Sequence, residues 1–322
     1  MKRVVIYMCT MLVAAAAGIA PLSAVEPLAV RGSVVVGTQS GEPRALHGVS
    51  LAWHHFADKY YNREVISTLH RTWGADVIRA AIGVELENCY DADPQRAMRA
   101  LRSAVDAAVA EDCYVVADWH CHHIRTAEAV EFFRTVASEY GHLPNLIYEI
   151  YNEPEYDTWD EVKTYAVEVI AAIREIDPDN LIIVGCPHWD QDVDIVADSP
   201  IEGFDNLVYS FHFYADTPRP SNMDRCDYAL SKGLPMIISE CGAMDHLGGG
   251  VINYEWWGRW VDWARQHSIG WIAWSLSDKV ETCSMLRHGA PADGQWSMDD
   301  LKDWSLLVIS SLKREKEINN AK

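Results

Sequence analysis

The sequence predicts an α/β fold, a (β/α)8 barrel preceded by a short β-hairpin, and three observations carry that reading. Strand-like and helix-like segments alternate eight times over roughly 270 residues, the span of a single barrel of this kind. The strand-like segments are apolar throughout, as parallel strands covered on both faces are. Nearly every one of them ends in a polar or aromatic side chain, the pattern expected where one rim of a barrel carries a site. The rival is a doubly wound open sheet. That fold calls for a Gly-rich phosphate loop after the first strand, and Gly48-Val-Ser-Leu-Ala-Trp53 is not one.

The elements follow in order. Leu28 to Val36, with Gly37-Thr-Gln-Ser-Gly41 as a glycine-rich turn, reads as the hairpin. Ala45–Ser50 is the first barrel strand, and Arg63–Trp73 the amphipathic helix after it. Asp76–Ile82 is the second strand. Pro94–Glu111 is a helix with Asp93 as N-cap and proline in the first turn. Tyr114–His120 and the helix Thr126–Tyr140 form the third unit. The fourth strand is read as Leu146–Asn152, stopped by Pro154, which has no N–H for the ladder, and its helix as Trp159–Ile176. Leu181–Gly185 with a short helix over Val193–Asp198, Asn206–His212 with Arg225–Lys232, Met236–Glu240 with Asn253–His267, and Gly270–Ser275 with Met298–Lys313 complete the set.

The strand ends gather the candidate residues: Arg79, His120, Asn152 with Glu153, His212 with Tyr214, Glu240 and Trp274. Each has a structural explanation when taken singly, as a salt-bridge partner, a satisfied histidine or a solvated carboxylate. Their coincidence at one end of one barrel makes a cleft with two carboxylates, and two carboxylates suit glycoside hydrolysis. One must be protonated to assist the leaving oxygen, while the other is ionised to attack or to activate water. Arg79, His212 and Tyr214 are placed to hold one carboxylate ionised. The barrel wall and the other negative charge are expected to keep its partner protonated.

Composition narrows the setting. The chain has 322 residues, 49% of them hydrophobic, enough for one large domain, and 13 are Trp, useful as core filler or as flat platforms for sugars. Residues 1–24 read as a secretory leader: Lys2 and Arg3, an apolar run from Val4 to Ala20, and Ala24 at a plausible cleavage point. The competing membrane-anchor reading suffers from a segment short for a span. Removing the leader takes the formal charge from −20 to −22, with 47 acidic residues against 25 basic. That argues against nucleic acid and anionic membranes as partners and suits a monomeric exported protein, secreted or periplasmic, acting on a neutral substrate. Residues 25–322 are expected to form a single catalytic domain, with no linker and no binding module visible. Cys89, Cys113, Cys121, Cys186, Cys226, Cys241 and Cys283 form no CxxC pair, so mostly buried thiols are expected, with one disulfide open.

Beside this reading, Ile147-Tyr-Glu-Ile-Tyr-Asn-Glu-Pro154 resembles the signature of glycoside hydrolase family 5, the cellulase-type barrels. Val77-Ile-Arg79, Asp118-Trp-His120, Tyr209-Ser-Phe-His-Phe-Tyr214, Ile237-Ile-Ser-Glu-Cys-Gly242 and Trp274-Ser-Leu-Ser-Asp-Lys279 are similar to further family blocks, in order, over about Leu28 to Lys313. The nearest likeness is to the bacterial endoglucanase branch. The resemblance implies a retaining endo-β-1,4-glucanase acting on a β-glucan polysaccharide without cofactor or metal. It makes Glu153 the acid/base and Glu240 the nucleophile. Asn152 would hold the sugar 2-hydroxyl, and Arg79 and Tyr214 would orient the nucleophile and favour its ionised form. His120 and His212 would bind the sugar at the cleavage point and tune the acid. Trp274 would be the floor beneath that sugar, Lys279 with Glu281 would reach a sugar on the non-reducing side, and Trp189 would be the leaving-group platform. Trp53 is implied as a further platform, through the least clear block. Two departures stand out: Cys241 after the nucleophile, where the branch often has an aromatic, and the short, His-rich Cys121-His-His-Ile-Arg125 after the third strand. The alternatives are a mannanase or xylanase of the same family, a metal-dependent barrel hydrolase using His120-Cys-His-His123, and a non-catalytic carbohydrate-binding barrel.

Overall fold

The computed structural model describes residues 25–217 and 219–320; the leader read in residues 1–24 lies outside them. Eight parallel strands close into a barrel with helices between them. They are β3 (His47–Leu51), β4 (Val77–Gly83), β5 (Tyr114–His120), β6 (Leu146–Glu149), β7 (Ile182–Val184), β8 (Leu207–Tyr214), β9 (Met236–Gly242) and β10 (Trp271–Leu276), with β10 pairing β3 to complete the ring. Ahead of them, β1 (Leu28–Arg31) and β2 (Val34–Gly37) form an antiparallel pair.

The strands are buried on both faces, and successive residues go to different cores. Val77, Val116, Ile147, Val208, Ile237 and Ile272 pack together, and Leu28 and Val35 of the hairpin join them, closing the N-terminal end of the barrel. Their sequence neighbours Ile78, Val115, Tyr148, Tyr209, Ile238 and Trp271 belong instead to the core shared with the helices. Burying each such side chain contributes roughly 1.5–3 kcal/mol. Two residues further along the inward-facing set, the chemistry changes: Arg79, Asp118, Glu149, Ser210, Ser239 and Trp274 take those positions. The barrel is thus apolar at its base and polar towards the C-terminal ends, which is where the site lies.

Local signals set the helices. Asp93 accepts from Arg96 N at 2.9 Å at the start of Pro94–Glu111, and Asn253 accepts from Trp256 N at 3.1 Å before Tyr254–Gln266. Thr158 and Glu161 make a reciprocal capping box at the head of Trp159–Arg174.

Most element ends differ from the sequence reading by one or two residues, the helix after β8 begins at Ser221 rather than Arg225, and three further differences change how a segment is built. The hairpin turns at Gly32-Ser33, where Gly32 has φ +62°, rather than at Gly37–Gly41, because a two-residue turn with positive φ matches the strand twist. The Gly37–Gly41 loop instead wraps Glu26, whose carboxylate accepts from the amides of Gln39 and Ser40. The fourth barrel strand ends at Glu149, not Asn152, and Pro154 is not what stops it. Beyond Ile150 the backbone turns towards β5, Asn152 N bonding Trp119 O and Glu153 N bonding Cys121 O. On the β7 side the chains cross at Gly185, where a Cβ would come 2.5 Å from Tyr151 O. The last helix is Asp303–Asn320 rather than Met298–Lys313, since Ser297 and Asp300 close a turn and Leu301 bridges to Leu286 first. The seven cysteines of the described residues are buried free thiols.

Candidate active site

Arg79 is the hub. A buried guanidinium requires partners around its whole fork, and this one is fully buried on β4. Nε donates to Glu149 Oε2 at 2.6 Å, Nη2 to Asn152 Oδ1 at 2.6 Å and Nη1 to Glu240 Oε2 at 2.9 Å. Asp118 Oδ2 lies 3.0 Å from Nη2. One cation therefore faces three carboxylates. Burial outweighs its pull on two of them, pushing Asp118 up to about 7 and raising Glu149.

Glu240, at the C-terminal end of β9, accepts at both oxygens, from Arg79 and from Tyr214 OH at 2.6 Å. Glu153, beyond β6, is held by imidazoles instead: His212 Nδ1 lies 2.8 Å from Oε1, and His122 Nε2 lies 3.5 Å from Oε2. An oxygen of Glu153 and an oxygen of Glu240 lie within 4.8 Å of each other. The two carboxylates thus face one another across the barrel mouth with separate donor sets.

The donor sets also correct one expectation. Burial drives the Glu153 carboxyl upwards, but the hydrogen bonds of His122 and His212 outweigh it and leave that carboxyl lowered. His212 is correspondingly pushed up to about 9: burial opposes its charge, and Asp190 and Glu153 overcome that opposition. The same contacts that lower the Glu153 carboxyl raise both of its imidazole partners, His212 and His122.

Below the mouth, His120 Nδ1 is hydrogen-bonded to Asp118 Oδ2 at 2.7 Å, and its ring lies parallel to Trp274, centroids 5.1 Å apart. Burial and Arg79 keep this histidine neutral. It does not reach Glu153; of the two histidines expected to tune that residue, His212 alone touches it. Trp53 packs edge-on to His120 at 4.6 Å.

The cleft has two hollows that share Tyr214, His246 and Leu247 as wall. The larger, about 450 Å³, holds Glu153, Glu240, His212 and Trp189. The smaller, about 210 Å³, holds Trp53, Trp274, Lys279 and Glu281. Lys279 pairs with Glu281 at 3.0 Å and lies over the Phe56 ring. The residues named from sequence therefore converge: two carboxylates in the middle, Trp189 on one side, Trp53 and Trp274 on the other, and Arg79, His120 and Asn152 buried beneath.

Sequence reasoning missed several participants. His122 was visible only as part of a His-rich run and weighed as a metal ligand. Among the described residues, no metal-ligating cluster forms on His120-Cys121-His122-His123. Glu85 stands behind His122 and His123, accepting from His123 N at 2.9 Å. Tyr156, 76% exposed, packs edge-on to Trp189. Asp190, beside Trp189, is wholly buried against His212. His122 and Glu85 lie two residues beyond β5 and β4, and Tyr156 and Asp190 lie deeper in their loops, so a reading confined to the last residue of each apolar run passes over them.

Comparison with known proteins agrees with this geometry. Residues 38–280 match the model of the cellulase family, described as glycosyl hydrolase family 5. The chain is 38% identical over 268 residues to endoglucanase Z of Dickeya dadantii, covering 81% of this chain and 62% of that protein. It is 37% identical over 289 residues to an endoglucanase of Clostridium saccharobutylicum, covering 86% and 64%. The chain thus spans less than two thirds of the length of these curated relatives. Among solved structures, the catalytic domain of Thermobifida fusca endoglucanase Cel5A in complex with cellotetraose superposes with a TM-score of 0.84 at 30% identity, covering 89% of this chain and 97% of that one. With a closed eight-stranded barrel, paired carboxylates at its mouth and a family match over most of its length, the chain belongs to the cellulase family, glycosyl hydrolase family 5.

Proposed function

We propose that this protein is an endo-β-1,4-glucanase that hydrolyses cellulose or related β-glucans with retention of configuration. The observation that carries the reading is the approach of Glu153 and Glu240 within 4.8 Å. Retaining glycosidases set their two carboxyls about 5–5.5 Å apart, whereas inverting ones leave about 6.5–9.5 Å for a water. Glu240 is the nucleophile: with both oxygens fixed by Arg79 and Tyr214, it attacks the anomeric carbon as the glycosidic C–O bond breaks. Glu153 is the acid/base. The Glu153–His212 pair carries one proton between Oε1 and Nδ1 and passes it to the leaving oxygen through Glu153. Water then attacks the glycosyl–enzyme bond, its proton returns to the pair, and Glu240 is released.

The remaining residues bind. Asn152, its Oδ1 held by Arg79, offers its amide N–H to the sugar 2-hydroxyl. Trp274 is the floor of the cleavage subsite beside His120; Trp53, Lys279 and Glu281 bind on the non-reducing side, and Trp189 on the leaving-group side. No cofactor is required. Residues 25–322 are the catalytic domain of a monomer exported through the leader at residues 1–24, with no nucleic-acid or membrane partner after processing.

The test is reducing-sugar release from carboxymethylcellulose together with NMR of the first-formed anomer. Release of β-anomer, with activity abolished in Glu240→Gln, supports the reading. First-formed α-anomer removes the retaining mechanism, and preferential attack on mannan or xylan in a product panel removes the glucanase assignment.

A further inference from the structure

We propose that Asp190 is a positioning residue for this reaction: it acts through His212, holding that imidazole charged and in place so that the His212–Glu153 pair keeps its proton. The inference rests on the acid/base reading of Glu153.

The first observation is a buried carboxylate with an uncommitted oxygen. Asp190 is fully buried; its Oδ1 accepts from Cys186 N, while Oδ2 has no hydrogen-bond partner and lies 3.2 Å from His212 Nε2. The hydrogen bond of Nε2 goes to Ser239 Oγ at 3.0 Å, and that hydroxyl meets Ser210 Oγ at 2.5 Å. Burial raises the Asp190 carboxyl well above the usual carboxylate range, and the charge on His212 draws it back down. Its ionised form, with Oδ2 against the ring, is therefore compensated only while the ring carries a proton at both nitrogens.

The second observation is the backbone that brings it there. His188, Trp189 and Asp190 have φ of 53°, 55° and 57°, three successive left-handed residues without a glycine. Such positions are strained for residues with a side chain and collect at functional sites. This turn does two things at once. It sets Trp189 in the wall of the larger hollow and Asp190 against His212.

The third is the line that results. Asp190 Oδ2 to His212 Nε2 is 3.2 Å, and His212 Nδ1 to Glu153 Oε1 is 2.8 Å. The charged and titratable groups facing His212 are Glu153 from beyond β6, Asp190 from the turn after β7, Glu240 from β9, and Asp118 and Glu149 across the barrel. Glu153 is shared with His122, Glu240 with Arg79 and Tyr214, and Asp118 and Glu149 with Arg79. Asp190 is the acid among them whose free oxygen is committed to His212.

The experiment is the pH profile of kcat/KM for Asp190→Asn on two substrates: a cello-oligosaccharide, whose leaving group needs a proton, and 2,4-dinitrophenyl β-cellobioside, whose leaving group does not. Asparagine keeps the size, retains an acceptor for Cys186 N–H and tolerates left-handed backbone. The alkaline limb on the cello-oligosaccharide is expected to move down by about one pH unit or more, with the acid limb unmoved. On the dinitrophenyl substrate the rate at neutral pH is expected to stay within about threefold of wild type, which also reports a folded enzyme. Asp190→Ser, smaller and equally neutral, is expected to give the same shift. An unmoved alkaline limb, or an equal loss on both substrates at every pH, overturns the proposal. The parallel variant Glu153→Gln separates the two levels. If it spares neither substrate selectively, the acid/base reading fails; if it spares the dinitrophenyl substrate while Asp190→Asn leaves the limb in place, the role of Asp190 alone fails.

Discussion

Arg79 Nη1 donates to Glu240 Oε2 at 2.9 Å from the centre of the barrel, joining a fully buried guanidinium to a carboxylate that lines the open hollow. The same guanidinium holds Glu149, Asn152 and Asp118, so one side chain sets the position of the proposed nucleophile, of the amide proposed to bind the sugar and of the acid beneath His120.

That sharing makes the planar fork indispensable. Arg79→Lys keeps a charge but offers a single ammonium in place of bonds directed to Glu149, Asn152 and Glu240. We expect kcat/KM on cello-oligosaccharides to fall by about 10²–10³-fold, of the order seen when a positioned electrostatic donor is removed. Expression yield and Tm are also expected to fall, because carboxylates are left buried without their cation. A lysine variant within about threefold of wild type refutes the hub role.

Glu240→Ala removes the carboxylate proposed to attack and leaves space where it stood. Activity is expected to be lost almost completely and to return on adding azide, with a glycosyl azide of inverted configuration as product, read by NMR. Wild-type turnover in the alanine variant excludes Glu240 as nucleophile.

The two hollows predict a division of labour between tryptophans. Trp189→Ala is expected to weaken binding on the leaving-group side by about 1–3 kcal/mol, using the burial value of a large apolar side chain. It should raise KM for long cello-oligosaccharides and leave an aryl cellobioside nearly untouched. Trp274→Ala, beneath the cleavage subsite and parallel to His120, is expected to lower kcat on both. Identical effects of the two variants on both substrates exclude the assignment of platforms to opposite sides.

Acid stability follows from a buried histidine. His54 is fully buried with both ring nitrogens unpartnered, and burial, with smaller help from His55 and Arg96, lowers its pKa to about 4. Its folded value lies below the unfolded one of about 6.5. The stability it contributes is therefore complete above pH 6.5 and is lost as pH falls towards 4, where the unfolded chain binds the extra proton first. His55, lowered to about 4 by burial and Arg96, acts in the same direction. We expect His54→Leu to flatten the fall in unfolding free energy between pH 6.5 and 4 by about 2 kcal/mol, measured by urea denaturation. An unchanged slope removes His54 from the account.

Much of the site was legible because barrel chemistry is periodic. Once Val77 is recognised as strand interior, Arg79 two positions on has one place to go; Asp118, Glu149 and Ser239 take the same depth on their strands but lie inside segments read as apolar, and are not singled out. The rest of what escaped was supplied by loops. His122 reaches Glu153 from the loop after β5, and Asp190 reaches His212 through a left-handed turn after β7, and no spacing along the chain encodes either direction.

The sequence by itself determined the barrel, the order of its strands and the pair Glu153 and Glu240, because burial of alternating apolar strands and the restriction of polar groups to their ends are local properties of the chain. Only the tertiary structure decided which groups surround each carboxyl and so which way its pKa moves. A carboxyl flanked by barrel wall and by a second acid is expected to hold its own proton, yet Glu153 lies between His212 and His122, and His212 in turn rests on Asp190. Charge in a buried site is set by the sum of neighbours within a few ångströms, and those neighbours come from four separate segments that meet only when the barrel closes.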